Sequence, residues 1–530
     1  MSLRHALDEL TADFVTFLCD SHPAAAALLG DVRGLGAIGP RMDLEGRRAE
    51  GDRLISRLSA LGPADELEQV AIRVLRARIQ WVEVNEELNI PWSRPDSPLE
   101  WAAEALHLIV SWPELNSVDK GSHLSRWQWE VEALLRSLLP SSTDADPSLP
   151  HVPLYLEHAL EACEDLRSFY LAAVGPLPER LRLALDDAEV ELTRRQSNEA
   201  TATVLGLTGF ARGESALRRW LVEIEGVETP IEALLALGLE RLDLETQTLV
   251  NLCIAVDPRA TTSKVLRRLN ADLPTAAELV PEARRFVGLL RDFVLEAKLL
   301  SLPETTPCVV RPAPDYLCAL SAACLDTHGP LLPDALEACY YLAVPKDGEA
   351  HGLSRTRLAW VTAHETYPGH LAQALHARRV SVPVFALADS ECFIEGWAHY
   401  AEGLLSEHGF QGGGLELDIG VAWGRVLRRV RMVAALSLHA RGATLDEATD
   451  LFVRHAFLPP DEARIEARRA ATDPTVLAYA LGRDQIEDAL AKARLVLGSA
   501  FDLCAFHDEI ISWGNVPIPF RTARAHTRLT

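Results

Sequence analysis

The sequence predicts an all-α protein with few or no strands. Three observations favour this class: apolar residues recur at helical spacing, period-two strand patterns are scarce, and capping residues mark the ends of long segments. The spacing is clear in two apolar quartets: Leu181, Leu185, Ala188 and Leu192, and Ile231, Leu235, Leu239 and Leu242. Residues three or four apart share one face of a helix, so each quartet predicts a helix with a buried side.

Capping residues predict where two further helices begin and end. Asp473 and Pro474 have the order expected of an N-cap followed by proline at the first helical position, and Gly498 closes the same segment. Thr444 and Glu447 stand three residues apart, which is the spacing of a capping box.

Two stretches rich in proline and small polar residues, at 141–150 and 303–314, predict loops because such residues cannot continue a helix. The second stretch divides the chain into an N-terminal helical lobe, 1–302, and a C-terminal helical lobe, 303–530, that carries all the candidate chemistry. No internal repeat of fixed period is present, which argues against a solenoid. We expect the two lobes to form one continuous unit.

Composition narrows the possible partners. Of the 530 residues, 48% are hydrophobic and 24% are charged, as in ordinary globular proteins. The 52 Lys and Arg residues face 76 Asp and Glu residues, for a net charge of −24, so nucleic acid is not an expected partner.

The predicted location is the cytoplasm. Asp8, Glu9 and Asp13 interrupt the N-terminal stretch where a signal peptide needs an unbroken apolar core. No uncharged apolar run is long enough to predict a membrane span. The nine cysteines are scattered and form no CxxC pair, which favours reduced thiols.

The most informative segment is 363–373, which contains His364, Glu365 and His370. It resembles the zinc motif HExxH, whose two histidines share a helix face beside a glutamate that accepts a proton from metal-bound water. Here the histidines are six residues apart and would point roughly 120° apart on a straight helix. Pro368 and Gly369 predict a break that lets His370 point back at His364. The alternative is that the histidines are unrelated and that Pro368-Gly369 marks a simple turn.

A second predicted helix contains the segment 390–402, ends before Gly409 and offers the third ligand. A glutamate on a separate helix completes a His₂Glu zinc site in one large class of peptidases. Helical spacing alone leaves the choice open, since four polar residues share one face: Glu391, Glu395, His399 and Glu402. Those that do not bind metal either orient the ligands from outside the coordination sphere or form a solvated charged stripe.

These motifs resemble the signature of a bacterial family catalogued only as a domain of unknown function, HExxPGHxxQ followed by EGWAxYxE. Here they are 364–373 and 395–402. Residues 478–482 look like the family's C-terminal YxxG helix and are similar to the YALG segment of carboxypeptidase Taq-type enzymes. The resemblance covers nearly the whole chain and selects Glu395 as the third ligand. It implies the two-lobed, neurolysin-like helical fold of thimet oligopeptidase-type zinc metallopeptidases, with the metal in a deep central groove.

The chain departs from the family in two ways. Many members of the family carry secretion or lipoprotein signals, whereas this N-terminal stretch is not expected to be one. Ala435 stands where the family usually has an aspartate, which predicts altered specificity or reduced activity.

The resemblance implies roles for several residues. Glu365 is the predicted general base, and Tyr479 is the candidate for stabilising the oxyanion or else a core tyrosine. His439 and His507 either contact the substrate or bind backbone carbonyls or a neighbouring carboxylate. One Zn²⁺ per chain is expected, although manganese, iron and cobalt suit the same ligands.

The leading hypothesis is a metallopeptidase that acts on short peptides. A second hypothesis keeps the metal but assigns a small-molecule amide or a biosynthetic intermediate as substrate. A third is a helical binding protein whose catalytic site has decayed, which Ala435 keeps open. The sequence does not indicate the scissile bond or the oligomeric state.

Overall fold

The computed structural model describes the chain in twelve segments: 3–62, 64–88, 97–112, 117–139, 153–197, 210–303, 307–314, 322–327, 329–332, 337–344, 353–380 and 382–521. These segments contain twenty-one α-helices and three short strands, which confirms the all-α class. The first twelve helices are α1 (Leu3–Ser21), α2 (Pro23–Leu28), α3 (Leu44–Ser59), α4 (Glu66–Leu88), α5 (Ser97–Ser111), α6 (Ser117–Ser137), α7 (Pro153–Ala173), α8 (Glu179–Gln196), α9 (Glu214–Arg219), α10 (Ile231–Val256), α11 (Thr262–Asn270) and α12 (Ala276–Glu296).

The strands and the remaining helices follow. They are β1 (Cys308–Pro312), β2 (Ala323–Asp326), β3 (Ala338–Leu342), α13 (Arg355–Glu365), α14 (His370–Ala377), α15 (Pro383–Ala386), α16 (Glu391–Glu407), α17 (Leu415–Ala440), α18 (Leu445–His455), α19 (Pro460–Thr472), α20 (Ala478–Leu497) and α21 (Leu503–Ile511). Within the described segments, every helix is too short or too polar to cross a lipid bilayer.

The two apolar quartets lie on helices, as predicted. The quartet on α8 is fully buried. The second quartet also lies on a helix, α10, but the buried face of that helix is rotated relative to the predicted one. The observed face runs through Leu234 and Gly238 and leaves Leu239 43% exposed. The rotation follows from packing, since Gly238 lies against Val433 of α17 and allows the two helices to approach closely.

The predicted caps are also present. The Asp473 side chain accepts a hydrogen bond from the Thr475 amide at the start of a short 3₁₀ turn that leads into α20, and Gly498 follows the last residue of α20. Thr444 and Glu447 form the expected capping box at the start of α18.

The predicted loop at 303–314 is partly wrong. Residues 308–312 form β1, which pairs in parallel with β3, while β2 pairs antiparallel with the other edge of β3. These strands are only four or five residues long, and their pairing depends on partners distant in sequence, so local composition did not indicate them. The other predicted loop, 141–150, lies outside the described residues. The division of the chain at 302/303 stays a prediction.

Contacts among five helices position the candidate site. Helix α10 packs along α17, and α16 packs closely against α20 while also contacting α13. The backbones of α16 and α20 approach closely at Gly396 and Gly482, where a Cβ on Gly396 would lie 2.5 Å from the Gly482 backbone. Glycine at both positions therefore lets two backbones touch.

Candidate metal centre

The helix break predicted between the two histidines is present. Helix α13 ends at Glu365, and α14 begins at His370. The Gly369 amide donates to the Ala363 carbonyl at 3.0 Å, so the connection folds back on the last turn of α13. A Cβ on Gly369 would lie 1.9 Å from the His364 carbonyl oxygen, so only glycine fits there. The break places His370 beside His364 despite their spacing of six residues.

The side chains of His364, His370 and Glu395 converge. The two imidazole centroids are 4.7 Å apart with the rings nearly perpendicular. Glu395 Oε2 lies 3.5 Å from His364 Nε2 and 3.7 Å from His370 Nε2. Ligands about 2.1 Å from a tetrahedral zinc ion are about 3.4 Å from one another, so these distances fit a His₂Glu site.

Glu395 Oε2 is the clearest indication that the cluster suits a cation. It is buried and has no hydrogen-bond partner in the described part of the chain. The contact to His364 Nε2 is too long for a well-formed hydrogen bond. Burial raises the pKa of Glu395, but the two imidazoles outweigh this effect and hold the pKa well below its usual range. An ionised carboxylate without a donor is costly to bury, and a bound metal ion removes that cost.

His364 is held from behind by a second carboxylate. Its Nδ1 lies 2.7 Å from Glu402 Oε1, which also contacts the Arg428 guanidinium at 2.7 Å. Burial lowers the pKa of His364, but Glu395 and Glu402 outweigh it and raise the value to about 9. A carboxylate on the far nitrogen of a ligand histidine fixes the tautomer and the ring orientation.

The predicted charged stripe on α16 is therefore not solvated. Glu402 and His399 are fully buried. His399 Nδ1 lies 3.2 Å from the Tyr479 carbonyl, so this histidine joins α16 to α20 and does not contact the cluster. Glu391 lies one turn before Glu395 and lines a cavity next to the site.

Glu365 and Tyr479 flank the cluster. Glu365 is buried, and its Oε2 accepts a hydrogen bond from the Leu325 amide of β2 at 2.9 Å. Burial raises the pKa of Glu365 above its usual value. The Tyr479 ring is nearly parallel to that of His364, with centroids 6.4 Å apart, and burial raises the pKa of its phenol. Tyr479 thus lies at the cluster, as the resemblance implied.

The structure does not bring His439 and His507 to the cluster. His439 Nε2 lies 2.8 Å from the Ala470 carbonyl, and its Nδ1 accepts from the Arg212 amide at 3.3 Å. His507 Nδ1 lies 2.6 Å from the Leu299 carbonyl. Both rings are buried and bind backbone, which is the second of the two roles that the sequence left open. Burial lowers the pKa of His507 to about 4.

Sequence reasoning missed Arg428, Trp397 and Leu325. Arg428 belongs to a run of buried arginines on α17, an unusual feature of an otherwise apolar helix that could have indicated a partner carboxylate. Trp397 donates its indole N–H to the Pro368 carbonyl at 3.0 Å. Ala435 is fully buried in an apolar cluster, and the altered specificity or reduced activity expected from it stays a prediction.

Fold and site together define a class: an all-α protein with a largely buried His₂Glu cluster beside the carboxylate of Glu365. The chain belongs to the bacterial family of unknown function DUF885, whose model matches residues 23–522. No curated protein matches it.

Two solved structures are similar to this chain over nearly their whole length. One is described as a putative lipoprotein of unknown function from Shewanella oneidensis, with a TM-score of 0.75, 18% identity and coverage of 98% of this chain and 99% of that one. The other, a putative lipoprotein from Colwellia psychrerythraea, has a TM-score of 0.66, 15% identity and coverage of 99% of each chain. At these identities the likeness shows a shared fold.

Proposed function

We propose that this protein is a zinc-dependent hydrolase that cleaves amide bonds in short peptides, as a peptidase or carboxypeptidase. One observation carries the proposal: a buried carboxylate oxygen of Glu395, without a hydrogen-bond donor, faces two imidazole nitrogens at separations typical of zinc ligands. His364, His370 and Glu395 would hold one zinc ion. Manganese, iron and cobalt suit the same ligands.

Zinc in such a site lowers the pKa of bound water and polarises the substrate carbonyl. Glu365 follows His364 directly in the chain and acts as the general base, taking a proton from the attacking water and delivering it to the leaving amine. Its buried position raises its pKa above that of an ordinary glutamate, which makes the carboxylate a stronger base. The Leu325 amide fixes the orientation of the carboxylate.

Tyr479 supplies the donor for the oxyanion. Its hydroxyl has no hydrogen-bond partner in the described part of the chain, while its ring is held between His364 and two guanidinium groups. The carbons of those groups, on Arg428 and Arg431, lie 5.6 and 5.8 Å from the ring centroid. A phenol on a fixed ring can donate to developing negative charge without reorganising.

The wider arrangement is part of the same proposal. We propose that the helices form two lobes on either side of a deep groove, as in neurolysin-like peptidases, and that the groove admits flexible peptides but excludes folded proteins. The motif resemblance supports this arrangement. The cytoplasmic location also stays a prediction, and fractionation of the source cells checks it.

The test begins with metal analysis. The purified protein is expected to contain about one zinc per chain, and Glu395→Gln is expected to lose it. Glu365→Gln should keep the metal while losing turnover of short peptides. Tyr479→Phe should keep the metal while kcat falls about 10²- to 10³-fold, the usual cost of removing one oxyanion donor.

Glu407→Gln serves as the matched control, because it changes a half-exposed carboxylate on the same helix as Glu395. Full activity in Glu365→Gln would contradict the mechanism. Activity against small amides but not against any peptide would show that the substrate is a small amide and not a peptide.

A further inference from the structure

A cavity of about 460 Å³ adjoins the metal centre. Its described walls come from α2, α4 and α5 on one side and from the ligand-bearing helices α14 and α16 on the other. Ala374 and Glu391 contribute to the lining. Each lies four residues from a predicted ligand, His370 and Glu395 respectively, which is about one helical turn. A molecule bound at the metal could therefore extend a group into this cavity.

Two carboxylates in the lining have no side-chain partner among the described residues. The carboxylate groups of Glu104 and Glu391 make no hydrogen bond or ion pair within the described segments, although both side chains are largely screened from solvent. Burial raises the pKa of Glu104, and burial together with neighbouring carboxylates raises that of Glu391. The Asn515 Oδ1 atom in the same lining is a buried acceptor that also lacks a donor within those segments. The cavity therefore presents acceptors that lack donors.

Among the described residues, the acids of the lining outnumber the bases next to them. A further carboxylate, Asp389, pairs with Arg78 at 3.0 Å. Arg378 also contributes to the lining. In the described part of the cavity, three carboxylates therefore face two guanidinium groups. His22 adds no charge, because burial lowers its pKa to about 4.

Apolar side chains complete the lining. Trp81 and Trp101 line the cavity together with Leu28 and Leu29. The His22 ring meets both indoles edge-on, with centroid distances of 5.1 and 4.9 Å, which fixes them in place. A cavity with apolar walls and unpaired acids suits a group with an aliphatic stem and a cationic end.

We propose that this cavity binds the cationic group of the substrate, an ammonium or guanidinium, one helical turn from the bond that is cleaved. An ammonium ion has three donors and no acceptor, so it complements Glu104, Glu391 and Asn515. The net charge of −24 further favours cationic over anionic peptides as they approach. The distance of one helical turn between the bound cation and the cleaved bond rests on the proposed function. Binding of a cation in the cavity does not.

The test measures binding by calorimetry with three small probes: Nα-acetyl-lysine amide, Nε-acetyl-lysine amide and Nα-acetyl-norleucine amide. The first carries only a side-chain ammonium, the second only an α-ammonium, and the third no charge. The full-length protein is titrated with each probe in the presence of zinc and again after the zinc is removed with a chelator. Binding of the probes can then be judged even if the protein does not bind zinc. Glu104→Gln and Glu391→Gln are compared with Glu240→Gln, which neutralises an exposed carboxylate on α10.

At least one charged probe should bind tenfold or more tightly than the norleucine probe. Each cavity variant should reduce that preference about tenfold, while Glu240→Gln leaves it unchanged. Whichever charged probe binds more tightly identifies the ammonium as that of a side chain or of a peptide N-terminus. Equal binding of all three probes, or a preference that survives both cavity variants, would overturn the proposal. Selective cation binding without peptide hydrolysis would support the cavity and contradict only the proposed function.

Discussion

Replacing Gly396 with alanine tests whether the contact between α16 and α20 sets the site. The new Cβ would lie 2.5 Å from two backbone atoms of Gly482, where an ordinary carbon contact is about 3.5 Å. Because neither backbone can rotate away, the helices must separate by about 1 Å. Such overpacking costs about 1–3 kcal/mol, against about 1 kcal/mol gained from helix propensity. We expect a net loss of up to about 2 kcal/mol.

The displacement also acts on the site, because α16 carries Glu395 and α20 carries Tyr479. A misplacement of about 1 Å can reduce turnover about 10²-fold. The assays are the denaturation midpoint, the zinc affinity and kcat/KM on a short peptide. Gly288→Ala on α12 is the control, because a Cβ there meets open space and should stabilise the protein by up to about 1 kcal/mol. If Gly396→Ala matched Gly288→Ala in all three assays, the helix contact would not position the site.

Three further predictions concern the metal centre. Glu402→Gln should weaken zinc binding about tenfold in a competition with a chelator, because His364 loses its charged partner, and Glu407→Gln should not. The pKa of His364 is raised from 6.5 to about 9 in the folded, metal-free protein. Protonation of His364 therefore stabilises the fold fully below pH 6.5, and this stabilisation is lost as the pH rises to 9. Between pH 6.5 and 9, the denaturation midpoint of the metal-free protein should therefore fall while its zinc affinity rises. In His364→Gln the denaturation midpoint should change less with pH. Trp397→Phe should weaken zinc binding about tenfold.

Local signals in the sequence predicted local structure well. The capping box at Thr444 and the break at Pro368-Gly369 depend on neighbouring residues, so their chemistry could be inferred without a partner. The buried face of α8 could likewise be predicted from the spacing of its apolar residues alone. The buried face of α10 could not be placed, because it depends on where α17 packs against Gly238.

Features that depend on distant residues could not be predicted. Strand β1 exists because β3 pairs with it, and the Leu325 amide reaches Glu365 only through that sheet. The choice between a solvated stripe and a role for Glu402 depended on Arg428, which lies on another helix. The cavity could not be predicted for the same reason, since Trp81 and Glu104 are far in sequence from the metal motif.

Trp397 connects the two halves of the split motif. It lies fully buried on α16, two residues after Glu395, and its indole N–H donates to the Pro368 carbonyl at 3.0 Å. The helix that supplies the third ligand therefore also holds the loop that places His370. This arrangement replaces the single rigid helix of an HExxH site, in which both histidines are fixed by one backbone.

Trp397→Phe keeps an aromatic ring but leaves the Pro368 carbonyl without its donor. A buried acceptor without a partner costs about 1–3 kcal/mol, and the loop can regain water only by moving away from α16. That movement displaces His370 from Glu395, which is why zinc affinity should fall together with stability. Trp513→Phe is the matched control, since its indole donates to a carboxylate four residues earlier and lies outside the cluster. A Trp397→Phe protein that is less stable but binds zinc as tightly as Trp513→Phe would show that the loop holds His370 without help from α16.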